Sequence, residues 1–235
     1  MPKIAVDAMG GDYAPAAVVE GALLASQDPD VEIVLVGQAD AIELELAKHR
    51  NGQNLKIVAA SQVVPMHESP SIALRKKDSS IKVGFEMMKR GEVDAVVSAA
   101  GRAAFKPLSA LADADFDLSL RNKLMGQVNL VRIGLGFVSD NGSFTLTAGY
   151  LSRNPAPGSA AVSLVNSALE GFGRAAALEA PRGIRVNVVS PPWVTETLQA
   201  LGRSTEGGVP AATVAQSYVR SVEGKETGQV FDPRS

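Results

Sequence analysis

The sequence predicts an α/β fold in which a parallel sheet carries helices on both faces. Short runs rich in β-branched residues alternate along the chain with longer runs whose apolar residues recur at helical spacing. Strands that alternate with helices form βαβ units, which place parallel strands side by side. With 235 residues, of which 46% are hydrophobic, the chain can bury a substantial core. We therefore expect a doubly wound, Rossmann-like sheet of about seven strands in a single domain spanning residues 1–235.

The first half of the chain predicts four strands separated by three helices. The strands are expected at residues 3–8, 31–36, 55–59 and 93–101. Pro15 suits the first turn of the first helix, because its fixed φ is already helical. Asp40 is expected to cap the second helix, and Ser79 or Ser80 the third. Residues 61–80 are polar and irregular, so they are expected to form a loop.

The second half predicts three more strands, at residues 143–147, 184–189 and 228–231. A long helix is indicated by apolar residues on one face, namely Leu120, Leu124, Val128, Val131 and Leu135. Further helices are expected at 160–180 and 211–222. Residues 195–209 are expected to be a mobile loop with weak helical content.

The ends of the first and fourth strands predict the place where a ligand binds. Doubly wound sheets bind ligands beyond the carboxyl ends of their strands, where the strand order reverses. In the commonest order the first and fourth strands are neighbours at that point. Here those strands end in residues 9–12 and 98–101, so each half of the chain would supply one side of a crevice.

Composition excludes several classes of function. The chain has no cysteine and only two histidines, which excludes disulfides, thiol catalysis and a histidine-rich metal site. A net charge of −2 gives no reason to expect a nucleic-acid partner. No stretch reads as a membrane span or a cleaved leader, so a cytoplasmic location is expected.

Two long motifs connect the first part of the chain with a known family. Residues 6–15 read Val-Asp-Ala-Met-Gly-Gly-Asp-Tyr-Ala-Pro, and residues 68–80 include Glu-Ser-Pro and Arg-Lys-Lys-Asp-Ser-Ser. With these motifs, residues 1 to about 99 resemble the bacterial phosphate acyltransferases of fatty acid and phospholipid synthesis. The likeness stops at residues 100–104, where that family carries Gly-Asn-Thr-Gly-Ala and continues into a large second part. The resemblance implies transfer of an acyl group to phosphate, in a cleft that needs the missing part.

The rest of the chain resembles another family. The segments that carry the resemblance are residues 94–101, 142–147, 168–172, 183–191 and 227–230. With these segments, residues from about 93 to 235 resemble the second half of an atypical short-chain dehydrogenase/reductase. That family's first half, with its glycine-rich dinucleotide loop, is missing. The two resemblances meet in the strand at 93–101 and indicate a chimera, engineered from an acyltransferase-like half (1–93) and a dehydrogenase-like half (94–235).

The dehydrogenase resemblance implies catalytic positions, but the usual groups are absent from them. Such enzymes use a tyrosine with a lysine four residues later, which lowers the tyrosine pKa. No Tyr-x-x-x-Lys pair occurs here: Val162 stands at the tyrosine position, and Asn166, which is a catalytic candidate, stands at the lysine position. Lys123 matches the family's active-site asparagine and is a candidate replacement acid, while Tyr150 is a second candidate. The alternatives are a solvated helix lysine and an aromatic ring used for packing.

A cofactor site is predicted around the strand ends, although its usual motif is incomplete. Gly10-Gly11 is shorter than the glycine loop of dinucleotide sites, and the second strand ends at Gly37 with no acid after it. Free amides at a glycine turn before a helix still form a phosphate site, so weak NAD(P) or phosphate binding is expected; otherwise the turn binds nothing. The expected contact residues are Gly10, Gly11, Asp12, Gly37, Ala99, Ala100, Gly101, Pro191, Trp193 and Val194.

Three functions remain open from the sequence. The first is a short-chain dehydrogenase-like oxidoreductase that binds NAD(P), with impaired or no catalysis. The second is a phosphate acyltransferase, and the third is a folded scaffold without catalysis. The partner would be a small molecule or phosphate. The dehydrogenase resemblance also implies a homo-oligomer, because helices at 114–136 and 158–180 pair subunits in that family.

Overall fold

The computed structural model describes residues 3–9, 14–49, 55–63, 76–99 and 101–235. It has the predicted α/β, Rossmann-like architecture with seven strands, and the described strand pairs within each unit are parallel. Contacts divide the chain into two compact units. The first holds residues 1–96 and 132–139, and the second holds residues 97–131 and 140–235. The expectation of a single domain stays a prediction.

The first unit is built on four neighbouring strands in the order β3-β2-β1-β4. The strands are β1 (Lys3–Asp7), β2 (Glu32–Gly37), β3 (Lys56–Ala59) and β4 (Ala95–Val97), the last of which contains the boundary between the units. The first and fourth strands are neighbours as predicted, with Ile4 opposite Ala95. The fourth strand is shorter than the apolar run from 93 to 101.

Three helices accompany these strands, namely α1 (Ala16–Ala25), α2 (Ala39–Leu46) and α3 (Ser80–Lys89). Ser79 caps α3 as predicted, since its side chain accepts a hydrogen bond from the backbone N–H of Lys82. The expected cap at Asp40 is wrong. The helix begins two residues earlier than predicted, with Gln38 at the N-cap position, so Asp40 lies in the first turn.

Aliphatic side chains from β1, β2, α1 and α2 form a core inside the first unit. Val19, Leu35 and Ile42 are completely buried in it. Burial of such side chains stabilises the folded state by roughly 1.5–3 kcal/mol each.

The second unit holds three parallel strands in the order β5-β6-β7. They are β5 (Ser143–Thr147), β6 (Arg185–Val189) and β7 (Val230–Phe231). The helices are α4 (Asp113–Leu118), a π-helical segment (Ser119–Leu124), α5 (Met125–Gly134), α6 (Ala160–Glu179), α7 (Thr195–Ala200) and α8 (Ala211–Glu223). The long helix expected around Leu120 is thus interrupted by the π-helical segment. The expected loop at 195–209 begins with α7.

Helix α6 lies very close to strand β6. Gly173 faces Val188, and a β-carbon at position 173 would overlap the Cγ2 methyl of that valine. Nearer the start of the helix, Glu170 is buried and accepts hydrogen bonds from the hydroxyls of Ser152 and Ser190, at 2.6 and 2.8 Å. These contacts fix the height and rotation of α6 in the second unit.

Hydroxyl groups connect α8 to strand β5. The Thr145 hydroxyl lies 2.6 Å from that of Ser221, and the Thr147 hydroxyl lies 2.5 Å from that of Tyr218. Burial raises the pKa of Tyr218 to about 12, against the lowering effect of its bond to Thr147. Tyr218 therefore stays a neutral structural group.

Candidate functional site

The second unit contains a cavity of about 380 Å³, a volume within the usual range of small-molecule sites. Its walls come from the segment after β4, the π-helical segment, the turn after β5, the start of α6 and the segments around α7. The lining residues are Gly101, Ala103, Phe105, Lys123, Leu151, Val162, Trp193, Leu201 and Arg203. The walls are mostly apolar, and the two charged side chains among the lining residues are both cationic.

Lys123 is the titratable group of this cavity. Its ammonium donates a hydrogen bond to the carbonyl of Ala148, with Nζ and O 3.1 Å apart. Burial lowers the pKa of Lys123 from its ordinary value of 10.5 to about 8, because desolvation disfavours the charged form. A group with this pKa can hold or release a proton near neutral pH.

Gly101 and the π-helical segment position Lys123. Gly101 has φ +129°, which disfavours other residues, and a β-carbon there would lie 2.8 Å from the Cα of Lys123. A π-helical insertion also displaces the side chains of one turn, and such insertions are frequent at functional sites. Two locally unusual backbone conformations therefore meet at this lysine.

Val162 and Asn166 occupy successive turns of α6. Val162 lines the cavity, while Asn166 is buried beneath the wall. The Asn166 Nδ2 donates to the carbonyl of Gly149 at 3.3 Å, and within the described part of the chain its Oδ1 has no hydrogen-bond partner. The two positions implied for the catalytic pair thus hold a valine and a buried amide. The catalytic role assigned to Asn166 stays a prediction.

Tyr150 is used in a different contact. Its ring lies under the guanidinium of Arg234, 3.8 Å from Cζ to the ring centroid, and Arg153 lies 5.9 Å from the same ring. Asp232 binds Arg234, and that hydrogen bond is the main cause of the raised pKa of Arg234. Tyr150 is not among the lining residues of the cavity, whereas its neighbour Leu151 is.

The predicted cofactor contacts are distributed over both units. Gly37 ends β2 in the first unit, where a β-carbon would lie 2.6 Å from the Cγ of Met9. Ala99, Gly101, Pro191, Trp193 and Val194 belong to the second unit. Of these, Gly101 and Trp193 line the cavity, and Val194 is the N-cap residue of α7. Gly10, Gly11, Asp12 and Ala100 lie outside the described residues, and cofactor binding stays a prediction.

The sequence predicted Trp193 as part of this site, but not Phe105 and Arg203, which contact its ring in the cavity wall. Phe105 and Trp193 meet edge to face, with ring centroids 6.4 Å apart, and Arg203 lies 5.8 Å from the Trp193 ring. Phe105 follows the fourth strand in an irregular segment, and Arg203 lies in the stretch expected to be a loop. No periodic pattern marks such positions, because irregular backbone brings them together.

The described residues contain neither a metal-binding cluster nor a membrane-spanning helix. Among the residues that the structure describes, no three His, Asp or Glu side chains are grouped closely enough to hold a metal ion. In the same residues, no helix has the length and apolar composition needed to cross a bilayer.

Two family models match the chain, and they overlap in the middle. The model of the "Fatty acid synthesis protein" family matches residues 2–122. The model described as "Enoyl-(Acyl carrier protein) reductase" matches residues 76–231. The predicted double resemblance is therefore confirmed.

Curated relatives match the first part of the chain. A phosphate acyltransferase from Geobacter sulfurreducens is 52% identical over 104 residues, which are 43% of this chain and 30% of that protein. One from Gloeobacter violaceus is 48% identical over 102 residues, again 43% of this chain and 30% of the relative. The chain thus spans about 30% of the length of these relatives.

Solved structures match nearly the whole chain. A protein from Listeria innocua is 31% identical and aligns with a TM-score of 0.71 over 99% of both chains. A short chain dehydrogenase from Salmonella enterica aligns with a TM-score of 0.72 over 100% of this chain and 96% of its own, at 16% identity, and so supports the fold alone. The chain belongs to two families, the fatty acid synthesis proteins through residues 2–122 and the enoyl-(acyl carrier protein) reductases through residues 76–231.

Proposed function

We propose that this chain is an engineered chimera that works as an NAD(P)-dependent oxidoreductase with impaired catalysis, in which Lys123 replaces the missing tyrosine as proton donor. The observation that carries the proposal is Lys123 itself, which lines a mostly apolar cavity and has a pKa near 8. The reductase family to which residues 76–231 belong supports the class of reaction.

The chemistry assigned to Lys123 is proton donation to a carbonyl oxygen in the cavity. Below pH 8 its ammonium carries the proton, and the bond to the Ala148 carbonyl keeps Nζ in place. Lys123 itself is largely buried, and the reduced solvation around its ammonium strengthens the hydrogen bond to a bound carbonyl. Without the tyrosine–lysine pair, general acid catalysis that is typically worth about 10²–10⁴ in rate is reduced, which accounts for the impairment.

NAD(P) would supply the hydride when bound, and the described residues of the second unit fit its nicotinamide end. Gly101, Trp193 and Val194 would hold the nicotinamide end beside the cavity that two of them line. At the end of β2, Gln38 donates its amide to the carbonyl of Ser61, so that position offers no carboxylate to a ribose hydroxyl. Weak cofactor binding, in the high micromolar to millimolar range, is the expected result.

The experiment is a titration with NADH and NADPH followed by the fluorescence of Trp193, the only tryptophan in the chain. A saturable change is expected, together with slow oxidation of NAD(P)H at 340 nm in the presence of small aldehydes. Lys123→Met should abolish the slow reaction, while Lys106→Met, at an exposed lysine outside the cavity, should leave it unchanged. Absence of any saturable change at millimolar cofactor would refute the proposal.

A second candidate is phosphate acyltransferase activity, which the 52% identity to the Geobacter relative favours. The assay is formation of acyl phosphate from an acyl carrier protein, and no product at high protein concentration removes this candidate. If both activities are absent while the chain melts cooperatively, the protein is a folded scaffold without catalysis.

We also propose that the chain forms a homo-oligomer. Helix α6 leaves Leu164 and Leu178 exposed, at 45% and 89% of their full surface. Large apolar side chains exposed on one helix are typical of an interface between subunits. Light scattering should give a mass above that of one chain, 24.4 kDa, and a monomeric mass would refute the proposal.

A further inference from the structure

The cavity of the second unit contains positive charge without an acidic partner. Lys123 and Arg203 both line it, and none of its lining residues is an aspartate or a glutamate. Within the described residues, neither Lys123 nor Arg203 forms an ion pair. Lys123 donates a hydrogen bond to the Ala148 carbonyl, and Arg203 lies over the face of the Trp193 ring.

Three acidic side chains on the neighbouring elements α4 and α6 are engaged elsewhere. On α6, Glu170 accepts hydrogen bonds from two serine hydroxyls and lies near Arg153. On α4, Asp115 binds Lys106 and Asp117 lies near Arg121. Burial is the cause of the lowered pKa of Lys123. The charge in the cavity is therefore compensated by a carbonyl dipole rather than by an anion.

The remaining walls prefer an apolar ligand. Phe105, Leu151, Val162, Trp193 and Leu201 surround the two cations with aromatic and aliphatic surface. Burial of apolar ligand surface against such walls is favourable by roughly 25 cal/mol per Å². A ligand that matches both features has a compact apolar body and one negative charge.

We propose that this cavity binds apolar monocarboxylates, with Lys123 and Arg203 holding the carboxylate. A carboxylate can accept several hydrogen bonds and removes the cost of an unpaired, partly buried ammonium. The inference rests on the proposed function in its use of the same cavity, and it deepens it by naming oxo carboxylic acids as the substrate class. In such a substrate Arg203 and one N–H of the Lys123 ammonium hold the carboxylate, while another N–H of Lys123 donates the proton to the carbonyl oxygen.

The proposal predicts that binding depends on pH. The ammonium of Lys123 is favoured by the bound anion, so binding is coupled to proton uptake above pH 8. The dissociation constant should be constant at lower pH and rise about five-fold between pH 8 and pH 9.

The test uses the full chain without cofactor and three probes of the same shape. Cyclohexanecarboxylate, cyclohexylmethanol and cyclohexylmethylamine are titrated by calorimetry and by Trp193 fluorescence. The carboxylate should bind at least about tenfold more tightly than the alcohol, because a charged hydrogen bond is worth more than a neutral one. The amine should show no binding.

Variants separate the contribution of each cation. Lys123→Met should remove both the preference for the carboxylate and the pH dependence of its binding. Arg203→Gln, at an exposed position, should weaken binding of the carboxylate several-fold and leave binding of the alcohol unchanged. Lys225→Gln serves as the matched control outside the cavity. Equal affinity for the carboxylate and the alcohol in the parent chain would overturn the proposal.

The outcome is distinguishable from that of the proposed function. Carboxylate binding without any binding of NADPH supports this inference and refutes the oxidoreductase. Reduction of neutral aldehydes without any preference for the carboxylate supports the oxidoreductase and refutes this inference. Retention of the preference in both cation variants also overturns the assignment.

Discussion

Replacement of Lys123 by methionine should make the protein more stable at neutral pH. Lys123 has a pKa of about 8 in the folded chain and an ordinary value of 10.5 when unfolded. This difference corresponds to about 3 kcal/mol against the folded state whenever both states carry the proton. Methionine has a similar length and no charge, so the variant avoids this cost.

The expected gain depends on pH in a definite direction. Below pH 8 both states are protonated and the full cost applies. Between pH 8 and 10.5 the unfolded chain binds more protons than the folded one, so the parent chain becomes more stable as the pH rises. The lost hydrogen bond to Ala148 opposes the gain by about 1 kcal/mol at every pH. The net stabilisation should be about 2 kcal/mol at pH 7 and should vanish near pH 10.

The assay is urea unfolding of the parent chain and of Lys123→Met from pH 6 to pH 10.5. Lys225→Met, at an exposed position, controls for the general effect of removing one positive charge. The difference in free energy of unfolding between the two variants gives the effect of burying the lysine charge. If Lys123→Met is destabilised at pH 7, or if its difference from the parent is the same at every pH, the assigned environment of Lys123 is wrong.

Two further predictions concern helix α6. Installing the missing pair with Val162→Tyr and Asn166→Lys should raise the rate of NAD(P)H-dependent reduction by about 10²–10⁴, measured at 340 nm, and no increase would show that the second unit lacks a productive cofactor position. Gly149→Ala should lower the free energy of unfolding by about 1–3 kcal/mol, because its β-carbon would lie 2.8 Å from the Asn166 Nδ2. Adding Asn166→Ala should restore most of that loss in urea unfolding, whereas Ser167→Ala, at the adjacent exposed position, should not.

The arrangement of strands could be predicted because it depends on local pattern. The alternating runs from Ser143 to Thr147 and from Arg185 to Val189 became β5 and β6 almost without change. The cap at Ser79 also follows from a local rule. The same rule failed for Asp40, because Gln38 has the extended backbone of an N-cap residue and the helix begins before Asp40.

The site was only partly predictable. Motif comparison identified Lys123, Trp193 and Gly101, which the fold brings into one cavity. Phe105 and Arg203 come from irregular segments whose course depends on tertiary packing, so no sequence period identifies them. Tyr150 was predicted as a catalytic candidate because it follows a strand of the sheet. Its ring instead contacts Arg234, near the end of the chain, and no local pattern around Tyr150 indicates this contact.

The absence of a side chain at Gly173 has an effect far from that residue. Gly173 lies eleven positions after Val162 on the same helix, or about 16 Å along its axis. Helix α6 packs directly on Val188 at Gly173. A methyl group added at position 173 would push the helix away from Val188 and tilt the turns that carry Val162. A substitution at position 173 is therefore expected to change the width of the cavity where Val162 lines it.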